Sequence, residues 1–132
     1  KSFQVSNQRK LQDLLVEISN RDKNSKIKIQ IASCNLEFRI ETILKKNGNR
    51  NLILHIWFNK RTREYEKEII DIFTQQSCII KKYYSPQKQV LSKIQLVYEN
   101  YSRIELSSIA NSIHAFIILF CDNYTGIAEY EL

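Results

Sequence analysis

Residues 36–58 read LEFRIETILKKNGNRNLILHIWF and contain the hairpin that decides the fold. Apolar residues occupy every second position from Leu36 to Ile40, which is the period of a half-buried strand. Asn47-Gly48 follows, and because both residue types tolerate a positive φ, the pair predicts a hairpin turn. The return stretch, residues 51–58, is apolar at both odd and even positions. We therefore expect it to be a central strand or to lie partly under a partner.

A helix and another strand are expected before this hairpin. The helix is indicated from Ser6 onward by apolar residues at helical spacing, Leu11, Leu14, Leu15 and Ile18. The strand is indicated by Ile27, Ile29 and Ile31, which alternate with polar residues. The first half of the chain is thus one helix followed by three strands.

The second half predicts a helix, a second hairpin and a long closing helix. Thr62 is a candidate N-cap, and acids in the turns that follow suit the positive end of a helix dipole. Two strand-like runs, Cys78 to Tyr84 and Val90 to Tyr98, are separated by a loop with the only proline. Ser102 to Glu105 fits a capping box, and the apolar pattern then continues to Tyr124.

Together these elements predict one α+β domain over residues 1–132. The order is helix, three strands, helix, two strands, helix (α-βββ-α-ββ-α), which implies an antiparallel sheet with helices packed on it. A length of 132 residues is enough for a single core of two packed layers.

Catalysis and cofactor binding receive no support from the sequence. The two histidines, His55 and His114, lie inside a strand pattern and a helix pattern, away from any recognisable nucleophile. Only two glycines are present, so a glycine-rich phosphate loop is excluded. The cysteines lack zinc-site spacing. We expect no enzyme activity, no catalytic residue, no cofactor and no metal.

Three scattered cysteines, Cys34, Cys78 and Cys121, predict small buried apolar side chains without a disulfide framework. This favours a reducing, cytoplasmic setting. The longest apolar run falls far short of the roughly 20 residues that span a bilayer, and no signal peptide pattern opens the sequence. Membrane association is not expected.

The order of elements resembles that of the type III secretion chaperones. Similar local features are the opening helix around Leu11-Leu14-Leu15 and the strand Ser33-Cys34-Asn35-Leu36-Glu37-Phe38. The closing helix, Glu105 to Tyr124, carries Phe116 where that family tends to have an aromatic residue. The resemblance covers nearly the whole chain and is topological. It implies a homodimer that binds an extended client segment along its sheet and helix surface without ATP.

The leading hypothesis is accordingly a non-catalytic, chaperone-like module that binds a partner protein as a dimer. Strands that are apolar on both faces offer edges to which a peptide can add, and the last helix is more apolar than a surface helix should be. The predicted partner-binding residues are Ile53, Trp57, Phe116, Ile118 and Leu119.

Nucleic-acid binding is the alternative, because the net charge is +6 and basic residues cluster in loops and beside aromatic rings. Interspersed acids argue against a continuous phosphate-binding track. The predicted contact residues of this alternative are Lys45, Lys46, Arg50, Lys60, Arg61, Arg63, Lys81, Lys82, Tyr83 and Tyr84.

Overall fold

A computed structural model describes residues 2–31, 36–58, 65–87, 90–121 and 126–131. Its strands are β1 (Ser2–Val5), β2 (Ser25–Ile31), β3 (Leu36–Leu44), β4 (Arg50–Trp57), β5 (Ile79–Tyr84), β6 (Leu91–Tyr98) and β7 (Gly126–Glu131). The helices are α1 (Gln8–Ser19), α2 (Glu66–Thr74) and α3 (Arg103–Phe120). The strands form one antiparallel sheet in the order β1-β7-β2-β3-β4-β6-β5. The predicted α+β class and its α-βββ-α-ββ-α core are confirmed.

One face of the sheet carries the core. Buried side chains alternate along β2, β3 and β4 and belong to the same cluster as the buried residues of all three helices. Helix α3 contacts α1 on one side and α2 on the other, so it is the central helix of that layer. The opposite face of the described sheet carries the alternate residues and no helix, and we call it the helix-free face.

The β3–β4 hairpin forms as the sequence indicates. Leu44 pairs with Arg50, and the Lys45 N–H donates to the Asn49 carbonyl at 2.8 Å. Gly48 has a φ of +88°, whereas Asn47 does not adopt a positive φ. Only the glycine therefore uses the left-handed region, and five residues connect the strands.

The start of α3 matches the sequence, whereas its end does not. Ser102 is the N-cap of α3 and accepts a hydrogen bond from the Glu105 N–H at 3.4 Å, which is the serine half of the predicted capping box. The Glu105 carboxylate accepts a hydrogen bond from the Ser102 hydroxyl at 3.2 Å. Thr62 lies outside the described residues, and α2 is described from Glu66 onward. Helix α3 ends at Phe120 instead of Tyr124.

Strands β1 and β7 extend the sheet beyond the five strands that the sequence predicts. They pair with each other, and β7 also pairs with β2. A Cβ atom on Gly126 would lie 2.8 Å from the Gln30 carbonyl oxygen and would overlap the Ile31 side chain. Glycine therefore allows β7 to enter its place in the sheet.

Candidate binding surfaces

The helix-free face is organised by the strand register into rows that run across β4, β6 and β5. Trp57 pairs with Lys93, and Lys93 pairs with Tyr83, which gives an aromatic–cation–aromatic row. The adjacent row on this face is polar and consists of His55, Gln95 and Lys81. The row after it is apolar and consists of Ile53, Val97 and Ile79. Because side chains alternate along each strand, these rows share one side of the sheet.

Trp57 is the centre of a group of rings and cations that we call the Trp57 cluster, consisting of Arg39, His55, Trp57, Tyr83 and Lys93. The Lys93 ammonium lies 4.9 Å from the centre of the Trp57 ring and 5.2 Å from that of Tyr83. The Arg39 guanidinium lies 5.0 Å from the Trp57 ring, and His55 stacks on it at 5.6 Å with 20° between the planes. Trp57 is half-buried and Tyr83 is exposed.

The charge of the cluster is positive. Burial, followed by the charge of Lys93 and more weakly that of Arg39, lowers the pKa of His55 below its ordinary value, and Glu41 opposes this shift. Glu37 on β3 is paired with Lys28 at 3.2 Å and Arg39 at 3.7 Å. Within β4, β5 and β6, all of whose residues are described, no acidic side chain lies on the helix-free face.

The outer edge of β5 is the second candidate surface. Strand β5 pairs with β6 and with no other described strand. The Phe58 N–H donates to the Ser92 carbonyl across β4 and β6, so the alternation of an antiparallel ladder directs the backbone of Lys93 and Gln95 toward β5. Their partners Tyr83 and Lys81 therefore face inward, and the backbone N–H and C=O groups of Ile80 and Lys82 point outward.

The core-facing side of this edge strand is anchored to α2. Tyr84 donates its hydroxyl to the Glu66 carboxylate at 2.6 Å, and this hydrogen bond raises the pKa of Tyr84. Lys82 borders a shallow cleft with α2 residues Glu66, Lys67, Ile70 and Asp71. Ile80 packs against the core, so β5 is held in place while its outer backbone stays open.

The five predicted partner-binding residues do not form one surface. Ile53 and Trp57 lie on the helix-free face, whereas Ile118 is 55% exposed on α3, in the layer on the other side of the sheet. Leu119 is partly buried against the core. Phe116 is fully buried, with its ring 5.6 Å from those of Phe38 and Phe58, so its assignment as a surface residue is wrong.

The residues of the nucleic-acid alternative also divide between places. Lys81 and Tyr83 lie on the helix-free face beside the Trp57 cluster, while Lys82 and Tyr84 lie on the core-facing side of β5. Lys45 and Lys46 belong to the β3–β4 turn, and Arg50 is the first residue of β4, directly after it. Lys60, Arg61 and Arg63 lie outside the described residues. Sequence reasoning missed Arg39, His55 and Lys93 as members of a site, because their meeting depends on the register of β3, β4 and β6.

Two cysteines are described, and they differ. Cys78 is a half-buried free thiol, and burial raises its pKa. Cys121 is buried, as predicted, and it is disulfide-bonded, so the prediction that the cysteines form no disulfide is wrong. Cys34 lies outside the described residues. Among the described residues, no group of three or more His, Cys, Asp or Glu is arranged to hold a metal ion.

Helix α3 is long and apolar enough to cross a membrane, and it is the one such helix in the described part of the chain. Six of its side chains are buried against the sheet and its neighbouring helices. The length and hydropathy that suit a membrane-spanning helix also occur in helices that are buried in a protein core.

The fold and surfaces define a mixed α+β protein with a seven-stranded antiparallel sheet that is covered by helices on one face. No protein-family model, no curated protein and no solved structure matches the chain.

Proposed function

We propose that this chain is a non-catalytic protein-binding module that takes an extended segment of a partner protein as an additional strand beside β5. The outward backbone groups of Ile80 and Lys82 support the proposal most directly, because no described strand pairs with them. An extended peptide supplies complementary N–H and C=O groups at the same spacing. Binding of this kind needs neither ATP nor a catalytic group, in keeping with the chaperone-like resemblance.

Side chains of β5 set the chemistry of the partner segment. Its helix-free side presents Ile79, Lys81 and Tyr83, and Ile79 and Tyr83 are 49% and 44% exposed. A neighbouring strand places alternate side chains beside these three. The complementary segment carries an acidic residue opposite Lys81 with apolar residues on either side of it.

A second copy of β5 fits this edge poorly. Pairing of two such strands brings the Lys81 and Lys82 side chains of both copies together, and like charges on adjacent strands are destabilising. The homodimer predicted from the sequence therefore uses another surface in this proposal. Light scattering on the free protein tests that prediction separately.

Selection from a displayed library of random octapeptides tests strand addition. We expect enriched peptides with the pattern apolar-x-acidic-x-apolar, because side chains at every second position of a strand share one face. Lys82→Pro removes an outward N–H without removing a hydrogen bond to β6, and it should weaken the selected peptides at least about tenfold. Lys82→Thr is the matched control, since it removes the charge and keeps the N–H.

Failure to enrich any peptide would overturn the proposal, as would equal affinity for the Lys82→Pro variant and the parent. Unfolding curves of both variants verify that the sheet is intact. A loss that is the same in Lys82→Thr and Lys82→Pro would assign the binding to charge and not to strand pairing.

A further inference from the structure

We propose that the Trp57 cluster is a separate binding site for a single-stranded nucleic acid. The site lies on the helix-free face and does not use the outward backbone groups of β5, which strand addition requires. The two surfaces share the side chains of Lys81 and Tyr83. The ring and cation contacts of the cluster carry the inference, together with the absence of acids on the same face of β4, β5 and β6, which are described throughout.

Two rings in one row provide places for bases. Trp57 and Tyr83 flank Lys93 on adjacent strands, and Tyr83 is 44% exposed. Unpaired bases expose flat π-faces that stack on such rings with little regard to sequence. Paired bases are already stacked within a duplex, and a sheet surface cannot reach between them. The arrangement therefore selects single strands.

The cations already positioned on the rings serve as phosphate ligands when a strand binds. In the free protein, Lys93 and Arg39 lie over Trp57 and make cation–π contacts. A base that stacks on the ring displaces an ammonium or guanidinium by a few ångströms, and the released cation meets the phosphate of the same strand. Lys81, exposed and one row away, adds a third cation.

Charge complementarity favours a polyphosphate over an acidic protein segment at this site. Glu37 on β3 is the register partner of Trp57, and its carboxylate is paired with Lys28 at 3.2 Å and with Arg39 at 3.7 Å. Glu41 on the same strand interacts electrostatically with His55. The cations Lys28, Arg39, Lys81 and Lys93 outnumber these two acids on β3 to β6 and the adjoining β2. An acidic peptide would form ion pairs with the cations, but it has no flat ring to stack on Trp57 and Tyr83. A nucleotide chain supplies phosphates for the cations and bases for the two rings.

Fluorescence gives a direct test, because Trp57 is the only tryptophan in the chain. We expect a labelled oligothymidylate of about 12 nucleotides to bind and to quench Trp57 emission through stacking. Contacts from three cations predict that affinity falls about 20-fold when salt rises from about 50 to about 200 mM. Lys93→Ala should weaken binding about tenfold and reduce the salt slope by about one phosphate contact.

Lys10→Ala is the matched control, because Lys10 is an exposed lysine on α1 in the helix layer. It should change affinity less than about twofold. Lys82→Pro should leave oligonucleotide binding intact, which separates this site from strand addition. Absence of binding at low salt, or binding that leaves Trp57 emission unchanged, would overturn the proposal. Equal affinity for duplex DNA or for polyglutamate would also reject it.

Discussion

The Lys93 ammonium lies 4.9 Å above the ring of Trp57, on the face of the sheet that no described helix covers. The contact joins β6 to β4, two strands that are adjacent in the sheet although α2 and β5 separate them in the chain. A cation held over an accessible ring can be displaced, since the contact is worth only about 0.5–1 kcal/mol at exposed sites. Base stacking on an aromatic side chain is worth about 1–3 kcal/mol, so a nucleotide can compete for the ring.

Lys93→Ala should raise the pKa of His55 toward its ordinary value. Burial is the largest cause of the lowered His55 pKa, and the charge of Lys93 is the next. Removal of that charge leaves burial and Arg39 to lower the pKa and Glu41 to raise it. An NMR titration of the His55 ring protons measures the change, with Lys10→Ala as a control. A His55 pKa that does not move would show that Lys93 does not lie near this ring in solution.

The free energy of unfolding should decrease as the pH falls below about 6.5, the ordinary pKa of histidine. Because the pKa of His55 is lower in the folded protein, the unfolded chain takes up the proton first, and acid favours unfolding. Above about 6.5 both states are neutral at this residue, so stability is fully present there. Urea unfolding at several pH values should show a smaller decrease in His55→Gln. An identical decrease in both proteins would assign the effect to other groups.

Phe116→Ala should destabilise the fold by about 3–5 kcal/mol, because this ring is fully buried among Phe38, Phe58 and Phe73. Ile118→Ser, two residues along the same helix, should change stability by no more than about 0.5 kcal/mol, since Ile118 is 55% exposed. Denaturant titrations of the two variants compare them directly. Similar losses for both would mean that Ile118 is covered in solution.

Gly126→Ala should weaken the docking of β7 and lower stability by about 1–3 kcal/mol. The added methyl group meets the Gln30 carbonyl oxygen and the Ile31 side chain, and the backbone oxygen cannot move without disturbing β2. Gly48→Ala tests a different cause, because its position has open space and is strained only by its φ of +88°. Hydrogen exchange should increase in β1 and β7 for Gly126→Ala and stay unchanged there for Gly48→Ala.

Local patterns in the sequence were sufficient for the centre of the fold. Alternating isoleucines in β2, the Gly48 turn and the Ser102 N-cap each express a short-range rule, and the structure follows all three. Strands β1 and β7 depend instead on pairing between distant segments. Four residues of β1 carry too little pattern to predict such a partner.

The sequence predicts that the apolar surface of α3 binds a partner protein, and the structure shows that other parts of the chain cover most of it. Its apolar surface is wider than one stripe, which in a helix with a single covered side would leave an exposed patch. In the structure α1 and α2 flank α3 above the sheet, so three of its sides have neighbours within the same chain. Phe116 fills that interior. The Trp57 cluster could not be predicted because most of its residues are far apart in the sequence and only the register of the strands brings them together.

The place of β7 between β1 and β2 also affects when the protein can fold during synthesis. Val5 of β1 pairs with Gly126 of β7, and about 120 residues separate the two along the chain. A ribosome that adds about 5–20 residues per second needs on the order of 10 s to cover that distance. During these seconds β1 has been synthesised, but its pairing partner β7 has not. The newly made chain therefore exposes an unpaired first strand and an incomplete β2 edge until translation has passed β7.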